Sequence, residues 1–332
     1  MAFASFVIPV FKTERYLKRC LDSLAAQTDG DFEAIVVDDC SPTGGAVEIV
    51  AAYGVRFRCL RQDRNRSTFQ AKATGAAAAT GAYVLPLDSD DFVGPELVAR
   101  IRAEATAAAA PDVIAYQMVK EFRGRAVPVK YNHPAARVSG AAALEMLLSG
   151  RIFMPVCGKA IRRAVFLAAY RGLAVGPDFY LNFTDDLCWL LPILFNAKTV
   201  SFIAYPGYRY WRHDDSMTRE TLDAARLRTL AEQSRRSVEA VVAYARRLGL
   251  PAQTVARIRA QLYPTIRWLM RDMGQDRAAL EAVYGADLVA DTLRWDAAAG
   301  GPMKRLARHL LTFGLRATAR ELAGRLRGGA DA

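Results

Sequence analysis

The stretch Tyr83-Val84-Leu85-Pro86-Leu87-Asp88-Ser89-Asp90-Asp91 joins an apolar run to a cluster of acids. Its β-branched, aliphatic and aromatic residues predict a buried strand that ends where the acids begin. In open α/β folds, ligands bind at the carboxyl ends of such strands. Asp88 and Asp90 could therefore share Mg²⁺ or Mn²⁺, ions that keep positions open for diphosphate oxygens. The same acids would also suit a solvated turn, so the motif needs support elsewhere.

Further strand and helix patterns precede this stretch. Residues 5–10 and 32–37 are apolar strand candidates, and the second one ends in Asp38-Asp39. Helical periodicity follows each strand, with Leu17, Cys20, Leu21 and Leu24 on one face after the first. Alternating strands and helices predict an α/β domain with a mostly parallel sheet and helices on both faces.

The chain resembles a family 2 glycosyltransferase of the GT-A fold, a Rossmann-like nucleotide-binding architecture. The resemblance is carried in order by residues 6–11, 14–27, 32–41 and 79–91. It implies a metal-dependent, inverting enzyme that uses a nucleotide sugar in bacterial polysaccharide or glycolipid biosynthesis. We expect the donor sugar to be linked to UDP. It covers residues 5 to about 218, so we expect a catalytic domain over 1–218 and a helical region over 219–332.

The resemblance also implies roles for the residues around the nucleotide base. Asp39 corresponds to the acid that accepts an N–H from the base, and an acceptor-only side chain suits the N3–H of uracil. Pro9, Val10 and Glu14 lie where the first loop of the family surrounds that base.

Further residues are implied at the diphosphate and the metal. Asp88 falls where the family contacts the ribose or metal, and Asp90 where it holds the cation that bridges the donor diphosphate. Ser89, between them, is a further nucleotide-sugar-binding candidate. His213, in a loop rich in tyrosine and arginine, is a third candidate metal contact, although a solvated histidine is an equally good interpretation. Lys72 is the only cation in a segment where the family usually has an arginine.

A second acidic pair, Asp185-Asp186, resembles the family's catalytic carboxylates. In that alignment Asp186 is the general base, and Asp185 replaces the usual glutamate. A simpler interpretation makes Thr184 a helix N-cap with acids in the first turn. Lys159 lies in a segment that resembles one lining the donor and acceptor cleft.

Charge and cysteine usage bear on compartment and partners. The five cysteines have no C-x-x-C spacing, and we expect small core residues in a cytoplasmic protein. The formal net charge of +11 favours an anionic partner, but no nucleic-acid motif is present. Residues 302–327 combine a leucine-rich stripe with excess arginine, a pattern that suits either peripheral contact with an anionic membrane or packing on the protein body.

Two other functions compete with transfer to a glycan or lipid-linked acceptor. A nucleotidyltransferase also uses a metal at a sheet edge, but it relies on a glycine-rich loop near the amino terminus, and residues 11–14 contain no glycine. A non-catalytic nucleotide-sugar-binding module could share the whole fold. The receiver domain that a strand-end Asp38-Asp39 might suggest is much shorter than this chain.

Overall fold

The computed structural model describes residues 2–107, 109–122, 125–129, 133–152, 155–211, 213, 224–261, 278, 281–282 and 285–298. The strands are β1 Ala4–Val10, β2 Phe32–Asp38, β3 Phe57–Arg61, β4 Tyr83–Pro86, β5 Phe92–Val93, β6 Val113–Phe122, β7 Arg125–Pro128, β8 Ala136–Ser139, β9 Lys159–Arg162 and β10 Thr199–Trp211. The helices are α1 Glu14–Ala25, α2 Ala46–Ala51, α3 Thr68–Ala78, α4 Leu97–Ala107, α5 Gly140–Leu148, α6 Arg163–Leu173, α7 Asp185–Asn196, α8 Ala224–Arg247, α9 Ala252–Ala260 and α10 Ala286–Ala298.

All the strands belong to one sheet of order β3-β2-β1-β4-β9-β6-β10-β5, with β7 beside β6 and β8 beside β10. The first four strands are parallel, as the alternation of strands and helices predicts. Beyond β4 the sheet becomes mixed, because β9 runs antiparallel to both β4 and β6, and β5 and β8 run antiparallel to β10. The carboxyl ends of β1, β2 and β4 thus meet at one edge.

Helix α3 packs unusually close to the parallel half of the sheet. A Cβ atom at Gly75 would lie 2.4 Å from Val7 and 3.1 Å from Val37, so only glycine allows this approach. Helix α3 also meets α7 through aromatic rings, since Phe69 stacks on the fully buried Trp189 with centroids 4.7 Å apart. This packing fixes the start of α7 beside the sheet edge.

Helix α8 packs against α6 and α7. The Tyr244 hydroxyl accepts a hydrogen bond of 2.9 Å from the side chain of Asn196 at the end of α7. Arg247 donates a hydrogen bond of 2.6 Å to the carbonyl of Gly172 in α6. The division at residue 218 stays a prediction, and residues 302–327 lie outside the described residues. Among the described helices, none combines the length and the apolar composition needed to cross a membrane.

Candidate active site

The three acids after β4 have three different environments. Asp88 has a side chain that is 41% exposed, whereas Asp91 is buried. The Asp91 carboxylate accepts hydrogen bonds from the Tyr208 hydroxyl at 2.6 Å and the Trp211 backbone N–H at 2.8 Å. Burial, with Asp90 and Asp88 nearby, raises the pKa of Asp91 well above its usual range. Asp91 therefore connects the end of β10 to the acidic cluster through these two hydrogen bonds.

Asp90 faces the histidine that sequence analysis connects with it. The Asp90 Oδ2 and His213 Nε2 atoms are 2.9 Å apart. The imidazole packs against the rings of Tyr16 and Trp211, with centroid distances of 4.4 and 5.0 Å. The backbone carbonyl of Asp90 also accepts a 2.8 Å hydrogen bond from Arg19. Asp90 and His213 are thus held side by side.

Asp88 turns toward a different set of groups. Its Oδ1 lies 3.7 Å from Lys72 Nζ, and its Oδ2 accepts a hydrogen bond from the Cys157 thiol at 3.4 Å. Burial raises the pKa of Asp88, an effect that Lys72 opposes and that the charges of Asp90 and Asp186 reinforce. Within the described ranges, no three histidine, cysteine or acidic side chains gather closely enough to form a metal cluster. The assignment of Asp88, Asp90 and His213 as metal ligands stays a prediction.

Lys72 joins the two acidic motifs. The ammonium group is buried and lies 2.8 Å from Asp185 Oδ2, in addition to its contact with Asp88. The two carboxylates raise the pKa of Lys72 well above its ordinary value, against the effect of burial. Burial also raises the pKa of Asp185 to about 6, although Lys72 opposes that change. Loss of one partner from such a buried pair typically costs about 3–5 kcal/mol.

Asp186 differs from its neighbour in exposure and partner. Asp185 is buried, whereas Asp186 is half-buried. The Val156 backbone N–H donates a 2.9 Å hydrogen bond to Asp186 Oδ1. Lys159 Nζ donates to the carbonyl of Pro155 in the same segment, and burial lowers the pKa of Lys159 to about 8, although the charge of Asp186 opposes this. Asp186 is therefore the acid of the pair that an acceptor could reach.

Asp39 lies at the carboxyl end of β2, the predicted binding position of the nucleotide base. Its Oδ1 accepts hydrogen bonds from Gln62 Nε2 at 3.0 Å and the Arg66 backbone N–H at 2.7 Å. Its Oδ2 accepts one from the Ser67 backbone N–H at 2.9 Å. Burial raises the pKa of Asp39, whereas the two backbone donors lower it. Since a carboxylate offers about four lone-pair sites, one site on Oδ2 remains for a ligand N–H.

The remaining predicted residues line the same edge. Pro9 and Val10 are buried at the end of β1, and Glu14 accepts a 2.5 Å hydrogen bond from Thr43. The buried Ser89 shares a 2.7 Å hydrogen bond with the Thr13 hydroxyl. Thr13 precedes α1 as expected, but its side chain caps no helical N–H. The roles of all these residues in binding stay predictions.

Strained backbone concentrates at this edge. Among the described residues, five other than glycine have positive φ, and four of them border elements of the site: Lys12, Cys40, Ser67 and Thr184. Ser67 has φ 88° and ψ 159°, a region used almost only by glycine. Thr184 is the N-cap residue of α7, and Asp185 and Asp186 lie in the first turn, as the simpler interpretation predicts. Its φ is 62°, however, and its side chain makes no capping hydrogen bond. Such strain is typical of functional sites.

Sequence analysis missed several contributors. Cys157 appeared only as an apolar core residue, yet its thiol contacts Asp88. Gln62 and Arg66, which surround Asp39, follow β3 and carry no recognisable motif. The Tyr208–Asp91 bond was equally hidden because it joins residues 117 positions apart. All five cysteines are free, and Cys20, Cys157 and Cys188 are buried, as expected.

Comparisons with known proteins identify relatives of this chain. Residues 5–167 match the family described as glycosyl transferase family 2. Glycosyltransferase EpsJ of Bacillus subtilis (strain 168) is 35% identical over 103 residues, 30% of each chain. The succinoglycan biosynthesis protein ExoO of Rhizobium meliloti (strain 1021) is 32% identical over 123 residues, 37% of this chain and 35% of that protein. The chain spans about a third of the length of these relatives.

A solved structure agrees on the fold. The crystal structure of S. aureus TarS 1-349 in complex with UDP-GlcNAc has a TM-score of 0.55 and 20% sequence identity, and the alignment covers 86% of this chain and 90% of that one. The sheet order and the aligned structure together define a GT-A fold. Residues 5–167 therefore belong to glycosyl transferase family 2.

Proposed function

We propose that the protein transfers a sugar from a UDP-linked donor to a hydroxyl of a glycan or lipid-linked acceptor, with inversion at the anomeric carbon. The observation that carries this proposal is the difference between Asp185 and Asp186. Asp185 is buried against Lys72, whereas Asp186 is half-buried and oriented by the Val156 N–H. Asp186 then takes the proton of the attacking hydroxyl, a role typically worth about 10²- to 10⁴-fold in rate.

The donor would bind along the edge formed by β1, β2 and β4. Asp39 would accept the N3–H of uracil, with Pro9, Val10 and Glu14 around the base. Ser89 and Asp88 would contact the ribose and the diphosphate end, and Lys159 would supply positive charge in the cleft. The UDP and UDP-GlcNAc complexes of TarS support a UDP-linked donor.

A divalent metal fits the donor set beside Asp88. Asp90 and His213 bring a carboxylate oxygen and an imidazole nitrogen to within 2.9 Å of each other, and Mn²⁺ accepts both kinds of ligand. Asp90 and His213 would hold Mn²⁺ or Mg²⁺, with Asp88 as the third contact. When bound, the ion would stabilise negative charge on the departing diphosphate. Arg19 holds Asp90 through its backbone carbonyl, and the rings of Tyr16 and Trp211 pack against His213.

The acceptor is proposed only as a class. The name of ExoO refers to succinoglycan biosynthesis, which supports a role in building a surface polysaccharide or glycolipid. A non-catalytic nucleotide-sugar-binding module would keep the Asp39 and Asp90 sites without needing an oriented Asp186.

A nucleotide panel tests the donor assignment. We expect UDP and UDP-sugars to raise the melting temperature more than GDP or CMP compounds, because a ligand that binds only the native state increases apparent stability. The shift should need Mn²⁺ or Mg²⁺ in the wild type. The melting-temperature shift should no longer depend on the metal in Asp90→Ala. It should stay metal-dependent in Asp63→Ala, a change at an exposed acid paired with Arg66. Equal shifts with all nucleotides would contradict the assignment of Asp39.

A further inference from the structure

The turn that precedes Asp185 and Asp186 has an unusual conformation. Thr184 is β-branched and has φ 62° and ψ 16°, in the left-handed region. Left-handed backbone is a genuine outlier for a β-branched residue, and it persists only where neighbouring groups hold it. The position of both acids therefore depends on what contacts residues 182–184.

Helix α8 supplies those contacts through a buried glutamine. Gln233 Oε1 accepts hydrogen bonds from two successive backbone N–H groups, Asn182 at 2.8 Å and Phe183 at 3.0 Å. The side chain is 4% exposed, so water is largely kept from these donors. Leaving such buried donors unpaired costs about 1–3 kcal/mol.

A serine one turn further along α8 contacts the next residue. Ser237 is fully buried, and its hydroxyl lies 2.9 Å from the Thr184 hydroxyl. The same serine hydroxyl donates to the Ser234 carbonyl at 2.9 Å, which orients it within the helix. The Ser237 carbonyl lies 3.7 Å from the Cys188 sulfur in the first turn of α7. Gln233 and Ser237 thus contact the whole turn from Asn182 to Thr184.

The turn also contacts the helix that carries Lys72. The Asn182 side-chain oxygen accepts a 2.7 Å hydrogen bond from the Thr68 N–H, and the Leu181 carbonyl accepts one of 3.2 Å from Phe69. Both donors lie in the first turn of α3, one turn before Lys72, which pairs with Asp185. A shift of residues 182–184 would therefore move Asp185 and Asp186 relative to the donor edge.

We propose that Gln233, with Ser237, is a positioning residue for the general base, acting through the turn at residues 182–184. This inference rests on the proposed function, because it assigns a role relative to Asp186. Helix α8, in the region that the sequence leaves without a function, is then part of the transfer machinery. Gln233 is buried and would act only through the turn, so we expect its effect to fall on the chemical step.

Gln233→Leu and Gln233→Glu separate positioning from folding. Leucine removes the acceptor oxygen at similar size, whereas glutamate keeps an oxygen at the same distance along the side chain. Glu232→Leu is the matched control, since Glu232 is exposed on the same helix and pairs with Arg235. The assay is the release of UDP from UDP-GlcNAc with Mn²⁺, alongside calorimetric binding of UDP and thermal melting of each variant.

We expect Gln233→Leu to lower kcat by about tenfold or more, because small misplacements of a reacting group are costly, while the donor KM and the UDP affinity stay within about threefold. Gln233→Glu should restore most of kcat, and Glu232→Leu should leave it unchanged. A folded Gln233→Leu with the wild-type kcat, or one that loses UDP affinity in parallel with kcat, would overturn the inference.

Ser237→Ala decides the matter if Gln233→Leu does not fold. A fall in kcat of about threefold or more at unchanged UDP affinity supports positioning, and an unchanged kcat overturns it. A wild type that neither binds nor releases UDP would instead refute the proposed function. The two failures are therefore distinguishable.

Discussion

At the scale of single residues, carboxylates with similar sequence contexts have different environments. Asp38 is buried and contacts Arg61 and the Ser41 N–H, whereas Asp39 accepts donors from the loop after β3. Asp91 fastens β10, whereas Asp90 faces His213. Sequence spacing predicts the clusters, but only long-range contacts distinguish the two acids within each pair.

Ser67 offers a test of stored strain. We expect Ser67→Gly to stabilise the protein by about 1 kcal/mol, because relief of about 1–3 kcal/mol of strain exceeds the entropy cost of glycine. The backbone N–H that donates to Asp39 is retained, so UDP affinity should not change. The midpoint of chemical denaturation measures the effect.

Ser149→Gly is the comparison, since Ser149 has φ −94° and its hydroxyl contacts the Glu145 carbonyl. That variant should lose stability. If Ser67→Gly is also less stable than the wild type, the backbone strain at Ser67 does not destabilise the protein by the expected ~1–3 kcal/mol.

At the scale of elements, the parallel half of the sheet could be predicted and the mixed half could not. Apolar runs predicted β1, β2 and β4, of which the last two end in acids, and helical spacing predicted α1. The pairing of β9 between β4 and β6 depends on contacts between distant segments, which leave no periodic signal. The contacts of α8 with the turn before α7 were unpredictable for the same reason.

Strand β9 places Lys159 near Asp186. The lowered pKa of Lys159 predicts that donor affinity depends on pH. We expect donor affinity to fall as pH rises through about 8, where Lys159 loses its proton. Lys159→Arg should retain affinity above that pH, because guanidinium stays charged, and Lys159→Met should be weak throughout. Calorimetric titration of UDP with Mg²⁺ from pH 6.5 to 9.5 measures this.

Stability should change in the opposite direction. Because folding lowers this pKa, the unfolded chain binds more protons between about pH 8 and 10.5, so the free energy of unfolding increases with pH in that window. Lys159→Met should lack this contribution.

A wild-type UDP affinity that is constant across pH 8 would contradict a role for the Lys159 charge in binding.

At the scale of the whole molecule, the net charge of +11 favours an anionic partner, which stays a prediction. The described acids and bases near the site pair largely with one another, as Lys72 does with Asp185 and Arg209 with Glu121. The excess positive charge of residues 302–327, which the structure does not describe, was interpreted from sequence alone.

We predict that a chain ending at Gly301 keeps a cooperative melt and UDP binding but no longer sediments with anionic vesicles. Cations near such a surface contribute about 1 kcal/mol each, and the apolar stripe adds to that. Vesicles of neutral lipid are the control. Loss of the cooperative melt would make residues 302–327 part of the folded core, and failure of the full-length protein to sediment at low salt would refute the membrane contact.

The central claim is that Asp186 is the base of an inverting transfer. The most direct measurement compares UDP affinity and the rate of UDP release from UDP-GlcNAc in Asp186→Asn, Asp185→Asn and the wild type. The account predicts that Asp186→Asn binds UDP normally and loses on the order of 10²-fold or more in rate, because an amide cannot accept the proton. Asp185→Asn should keep a larger share of the rate. Normal turnover in Asp186→Asn with a dead Asp185→Asn would contradict the account.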